Sequence, residues 1–227
     1  MPDKAKMATP EYREAKKIDI PKTLGISRNW RAIAYEAKTK DRLESTDWPA
    51  KLCFCSEDGK VKQDCFQAIA VRKDATWNCQ FVRELSLTPI FEKKYPQEGV
   101  LFVPMFSGGG SGTLNLITLW VFSEQMKKFV NILPVITITN LGQYKILHDR
   151  QDQLDGTLVI ADFIWKEGET HFDPHQYEIN IYKYNQEHRL FEMVGSFVTK
   201  DTYPEVEGEY DIVSHEIENI ENLVSKR

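Results

Sequence analysis

The sequence predicts an all-β, antiparallel fold of four-stranded meanders in series, closed by a short C-terminal helix. Three observations carry that expectation. Apolar and polar residues alternate with a period of two along much of the chain. These stretches are rich in Ile, Val, Tyr, Phe and Trp, which suit a half-buried pleated surface. The same succession of strands returns at intervals of roughly 55–65 residues.

The elements follow in order. The first unit, 23–74, reads WRAIAYEA (30–37), AKLCFCS (50–56) and DCFQAIAV (64–71), with a weak opening strand near Ile18–Ile20. The second, 79–140, reads VRELSLTPIF (82–91), GVLFVPMF (99–106), LNLITLWVF (114–122) and FVNILPVITIT (129–139). The third, 142–203, reads QYKIL (143–147), TLVIADFIW (157–165), YEINIYKYN (177–185) and FEMVGSFVT (191–199). Residues 1–22 read as a polar tether before a single all-β domain at 23–204. Residues 205–227 read as an acidic segment, partly helical. There Ile217, Ile220 and Val224 fall at helical spacing after Ser214, a residue type that caps helix N-termini.

A meander repeated in series is the building block of a β-propeller. Three units are fewer than the roughly four to eight blades of such a fold, so a twisted barrel and a sandwich stand as alternatives.

Lys and Arg number 29 against 34 Asp and Glu, a net charge of −5. An acidic chain is poorly suited to neutralising phosphates, so no nucleic-acid partner is expected. No run approaches the ~18 apolar residues of a spanning helix. The N-terminus has charge but no apolar core for a signal peptide. A periplasmic, cell-envelope or extracellular protein with its export signal removed is expected, with the cytoplasm as the alternative.

The cysteines bear on location. Cys53, Cys55, Cys65 and Cys79 are disulfide candidates, because zinc-ribbon spacing is absent. Cys53 and Cys65 flank a hairpin turning at Asp58-Gly59. A two-residue turn there pairs Cys53 with Asp64, so a bond to Cys65 requires a bulge or a longer loop. Buried thiols acting as small apolar residues are the other reading.

The glycine-rich stretch FSGGGSG (106–112) lacks the lysine of a phosphate loop and the last glycine of a nucleophile elbow. A strand follows it where both motifs need a helix. It reads as a hairpin loop whose glycines turn tightly or let a ligand approach the backbone. Ser107, Gly109, Gly110 and Ser111 are the ligand candidates there, with Asp162 and Trp165 on the strand entering the next such loop. Asp162 is a charge in an apolar run, which faces solvent, caps a backbone group or serves function.

The densest set of metal-ligating residue types is ETHFDPH (169–175). Glu169, His171, Asp173 and His175 share one side of an extended chain, and their donors suit a divalent transition metal. No set of residues at catalytic spacing stands out. The leading expectation is a non-enzymatic binding or scaffold module. Its partner is a protein or small ligand, held by the loops that join the second and third strands of each unit. A metal-binding protein or metal-dependent enzyme using ETHFDPH is the alternative.

Overall fold

The computed structural model describes residues 11–21, 28–38, 48–72, 75–91, 97–107, 113–139, 142–148, 153–170, 173–204 and 210–225. It is antiparallel throughout. The first sheet runs β1 (Tyr12–Ile20), β2 (Trp30–Ala37), β3 (Lys51–Ser56) and β4 (Phe66–Gln67), in that spatial order. A hairpin of β5 (Ile69–Arg72) and β6 (Ala75–Asn78) follows. The second sheet holds β7 (Phe81–Phe91), β8 (Gln97–Phe106), β9 (Leu114–Ser123) and β10 (Lys128–Asn131), with β11 (Ile136–Thr139) also on β9. The third runs β12 (Gln143–Leu147), β13 (Thr157–Phe163), β14 (Tyr177–Asn185) and β15 (Leu190–Val198).

The meanders read from periodicity are therefore present. They stack face to face, and no barrel closes among the described residues. Trp30, Phe54, Phe102, Trp120 and Phe129 fill the space between the first two sheets. Phe54 lies flat on Phe129 at 4.1 Å between ring centroids. Ile117, Ile138, Leu158, Ile160 and Phe191 fill the next space. Beyond the third sheet, Ile179 and Ile181 pack under two short helices, α1 (Ile212–His215) and α2 (Ile217–Val224), through Ile212, Val213, Ile220 and Val224.

Local chemistry departs from the reading in three places. Part of the expected tether is a strand, since Tyr12–Ile20 pair with β2 along their whole length. That strand is mostly exposed, so backbone pairing holds it in place more than burial does. Ser214 does not cap the helix of Ile217, Ile220 and Val224. It lies inside the preceding turn α1, whose N-cap Asp211 accepts from the Ser214 amide at 3.0 Å, while α2 starts at Glu216 with no side-chain cap. The stretch 129–139 divides into β10 and β11 at Pro134, which has no amide to donate to a ladder. The Asn131 side chain covers the break, accepting from the amides of Leu119 (3.0 Å) and Leu133 (3.3 Å) and donating to the Leu133 carbonyl (3.0 Å).

The cysteine hairpin shows the expected bulge. Cys55 faces Lys62, whereas Cys53 is bonded to Cys65, so one extra residue lies between Lys62 and Cys65. Gln63 sits in this bulge and turns its amide to the next sheet. It donates to the Phe129 carbonyl and accepts from the Phe129 amide, both at 2.8 Å. The other two cysteines are free thiols. Cys55 is half-buried, and Cys79 is buried, its thiol pushed up to about 12 by desolvation.

Candidate functional site

A four-stranded meander returns each unit's second-to-third-strand loop to the end where the unit begins and finishes. In three units joined in series the roots of those loops then fall near one another. Hydrogen bonds link these roots. Ala50, where the β2–β3 loop ends, donates to the Cys79 carbonyl at 2.7 Å. The next residue, Gln80, accepts from the amide of Ser107, where the β8–β9 loop begins, at 3.2 Å. Past that loop, Asn115 donates to the Thr139 carbonyl at 3.1 Å. Thr139 in turn gives its amide (2.9 Å) and hydroxyl (2.6 Å) to Asp162, just before the β13–β14 loop.

Asp162 is thus a buried carboxylate that caps the neighbouring unit's backbone. It joins the sheets and is not turned to solvent. Ser107 is exposed at its loop root. Gly109, Gly110, Ser111 and His171 lie outside the described residues.

The β13–β14 loop is not extended, so the alternation expected along 169–175 fails. Two tight turns interrupt it. In the first, the Glu169 amide donates to the Lys166 carbonyl at 3.2 Å, with Gly168 at φ +85°, a value glycine adopts without strain. In the second, Asp173 Oδ2 accepts from the Thr170 amide (2.6 Å) and hydroxyl (2.9 Å). Those two bonds hold the Asp173 carboxyl below its ordinary pKa, the backbone one contributing most.

The turns bring Glu169 to His175 and direct Asp173 elsewhere. Glu169 Oε2 stands 3.2 Å from His175 Nδ1. The His175 side chain is 1% exposed, and its Nε2 has no hydrogen-bond partner among the described residues. Phe163 packs on the imidazole at 4.9 Å. The Trp165 indole stacks on it at 5.8 Å and 22°, with half of the residue still exposed. Among the described residues, no three His, Cys, Asp or Glu side chains converge as a metal site.

Sequence patterns did not single out Tyr203 and Glu216, which join His175 of this loop to the C-terminal segment. His175 and Tyr203 exchange backbone hydrogen bonds at 2.9 and 2.8 Å. The Tyr203 hydroxyl donates to buried Glu216 Oε1 at 2.6 Å, and the other oxygen accepts from Asn219 at 2.6 Å. Burial, then the bond to Glu216, raises the Tyr203 phenol above its ordinary pKa. A tyrosine and a glutamate thirteen residues apart carry no periodic signal, so only the folded chain could pair them.

The fold and its loop end define an all-β protein of serial antiparallel meanders, held in part by a disulfide. No family model and no curated protein matches the chain. A solved structure described as the crystal structure of CarG is similar over 56% of this chain and 92% of its own. That likeness has 12% identity and a TM-score of 0.38, too low to carry an argument.

Proposed function

We propose that the chain is a non-enzymatic binding or scaffold module, exported or associated with the cell envelope, working through the loops at its common end. The observation that carries this reading is the chain of hydrogen bonds tying the three loop roots into one rigid base. Loops on a fixed scaffold are where binding residues concentrate. Trp165 adds a half-exposed indole, a residue type enriched at interfaces. The disulfide supports an oxidising compartment, since such bonds are rare in reducing ones.

A photo-cross-linking residue placed in turn at Ser107 and Trp165 should capture the same partner in the cells that make the protein. Met126 is the control, exposed at the β9–β10 tip on the opposite end. Capture from position 126 alone, or equally from all three positions, overturns the reading.

A metal-binding protein is the second reading. It rests on the Glu169–His175 pair, whose imidazole keeps one nitrogen without a partner among the described residues. Titration with zinc or nickel should then show binding that His175→Ala removes. Equal binding by the variant ends this alternative.

A further inference from the structure

Sheet edges expose unpaired backbone groups, and proteins guard them with charge or cover. Two outer strands here are guarded. β1 carries five charged residues in nine, namely Arg13, Glu14, Lys16, Lys17 and Asp19. β12 is covered by the C-terminal segment: Lys145 donates to Asp211 at 2.7 Å, and the Ile212 amide donates to Gln143 at 3.0 Å.

β15 has less of either: α2 meets it at Gly195 through Leu223, and its other guard is a bulge at Val194. It is the outer strand of the third sheet and pairs only with β14 among the described residues. Its single charged residue, Glu192, is engaged by His188 at 2.5 Å and Asn185 at 2.9 Å. Leu190, Met193 and Val198 are exposed along it, Val198 by 50%.

A groove of about 580 Å³ opens between the end of this strand and α2. Phe197, Val198 and Leu223 form its apolar walls. Leu223 can lie against the strand because residue 195 is glycine; a Cβ there would stand 2.0 Å from the leucine methyl. Lys200 and Asn222 line the groove without a side-chain partner among the described residues. Glu216, also in the lining, already has both oxygens occupied by Tyr203 and Asn219.

We infer that the open edge of β15 and the groove beside α2 bind an extended peptide by strand addition, with a carboxylate of the peptide meeting Lys200. Such a ligand uses all three features together: the unpaired backbone takes its main chain, the apolar walls take alternate side chains, and the ammonium takes its charge. Charge complementarity favours a foreign peptide over a second copy of this chain. The only carboxylate on β15 itself is Glu192, already engaged, so a second copy would have to reach Lys200 with an acid outside the strand, such as the exposed Glu187. The groove adjoins the loop end, since Gln176 donates to the carbonyls of Thr199 (2.8 Å) and Lys200 (3.3 Å), yet it is a separate surface.

The test uses the full chain and a labelled octapeptide of alternating threonine and valine, with a free C-terminal carboxylate or as its amide. Fluorescence anisotropy should show saturable binding of the acid, with the amide weaker by at least roughly tenfold. Val198→Lys, which guards an exposed position and leaves the core intact, should weaken the acid by a similar factor. Lys200→Ala should erase the preference for acid over amide. Met126→Ala, at the opposite end, should leave peptide binding unchanged, and the loop-end reading is scored separately by cross-linking, so the two failures are distinguishable. Equal affinity for acid and amide, indifference to Val198→Lys, or no saturation overturns the inference. A dimer in light scattering that Val198→Lys splits assigns the edge to a second copy and overturns it too.

Discussion

Gln63 joins two sheets with one side chain. Its amide takes the place of a strand neighbour for Phe129, satisfying one donor and one acceptor. Gln63→Ala leaves both backbone groups short of a partner, which costs about 1–3 kcal/mol for such a group when buried. Urea unfolding should show that loss, while Lys60→Ala, at an exposed turn, should be near neutral. Cys79 makes a different prediction. Burial raises its thiol to about 12 in the folded protein, against an ordinary value of 9.0. The folded state therefore favours the neutral form. Stability from this site is full below the unfolded value and falls as pH rises from there towards the folded value. Denaturant midpoints should drop over that alkaline range, and Cys79→Ala should flatten the drop. Gln63 was not legible as important, since a glutamine beside a turn looks ordinary until the sheets are stacked; Cys79 was read as a disulfide candidate and is instead a buried free thiol.

At the scale of elements, the disulfide and the C-terminal helices are the attachments to test. Cys53 and Cys65 close a loop with a sequence separation of 12, for which a crosslink typically contributes 2–4 kcal/mol, so Cys65→Ser should lower stability by about that much. A smaller loss would show that the Gln63 contacts alone hold the hairpin. The C-terminal segment, read as acidic and partly helical, docks its two helices on the chain's own third sheet. Ile212, Val213, Ile220 and Val224 are all buried there. Removing residues 206–227 exposes that face, at roughly 1.5–3 kcal/mol for each aliphatic side chain. Thermal unfolding of the truncated chain should start well below that of the parent. Asp211 adds an acid dependence to this docking. Burial pushes its carboxyl up, but bonds from Lys145 and Ser214 hold it below its ordinary value. Its contribution is present above the ordinary carboxylate range and is lost as pH falls through the lowered folded value. Exchange of the α1 amides should therefore quicken on acidification, and Asp211→Asn should remove that change.

The described residues form a stack of three sheets and a helical layer, with the roots of the three second-to-third-strand loops linked at one end. Protein taken from its own compartment without reductant should weigh about two daltons less than its sequence, for one disulfide. Iodoacetamide should reach Cys55 in the folded state and Cys79 only after unfolding. A mass matching four free thiols removes the support for export. The strand pattern was legible because side chains on a strand alternate by two, and that alternation survives in the linear chain. The need for a bulge before Cys65 was legible for the same reason, as register is arithmetic along two strands. What periodicity could not supply is which faces meet. The turns that send Glu169 to His175 and Asp173 to Thr170 rest on local hydrogen bonds, which an extended reading of the loop ignores. The pairing of Tyr203 with Glu216, the Gln63 bridge and the groove beside α2 depend on residues far apart in sequence brought together by packing. The sequence by itself determined the all-β class and its antiparallel four-stranded meanders. Only the tertiary structure decided which polar groups are occupied, which edge is left open and what lies beside it, because those follow from contacts between sheets and not from order along one strand.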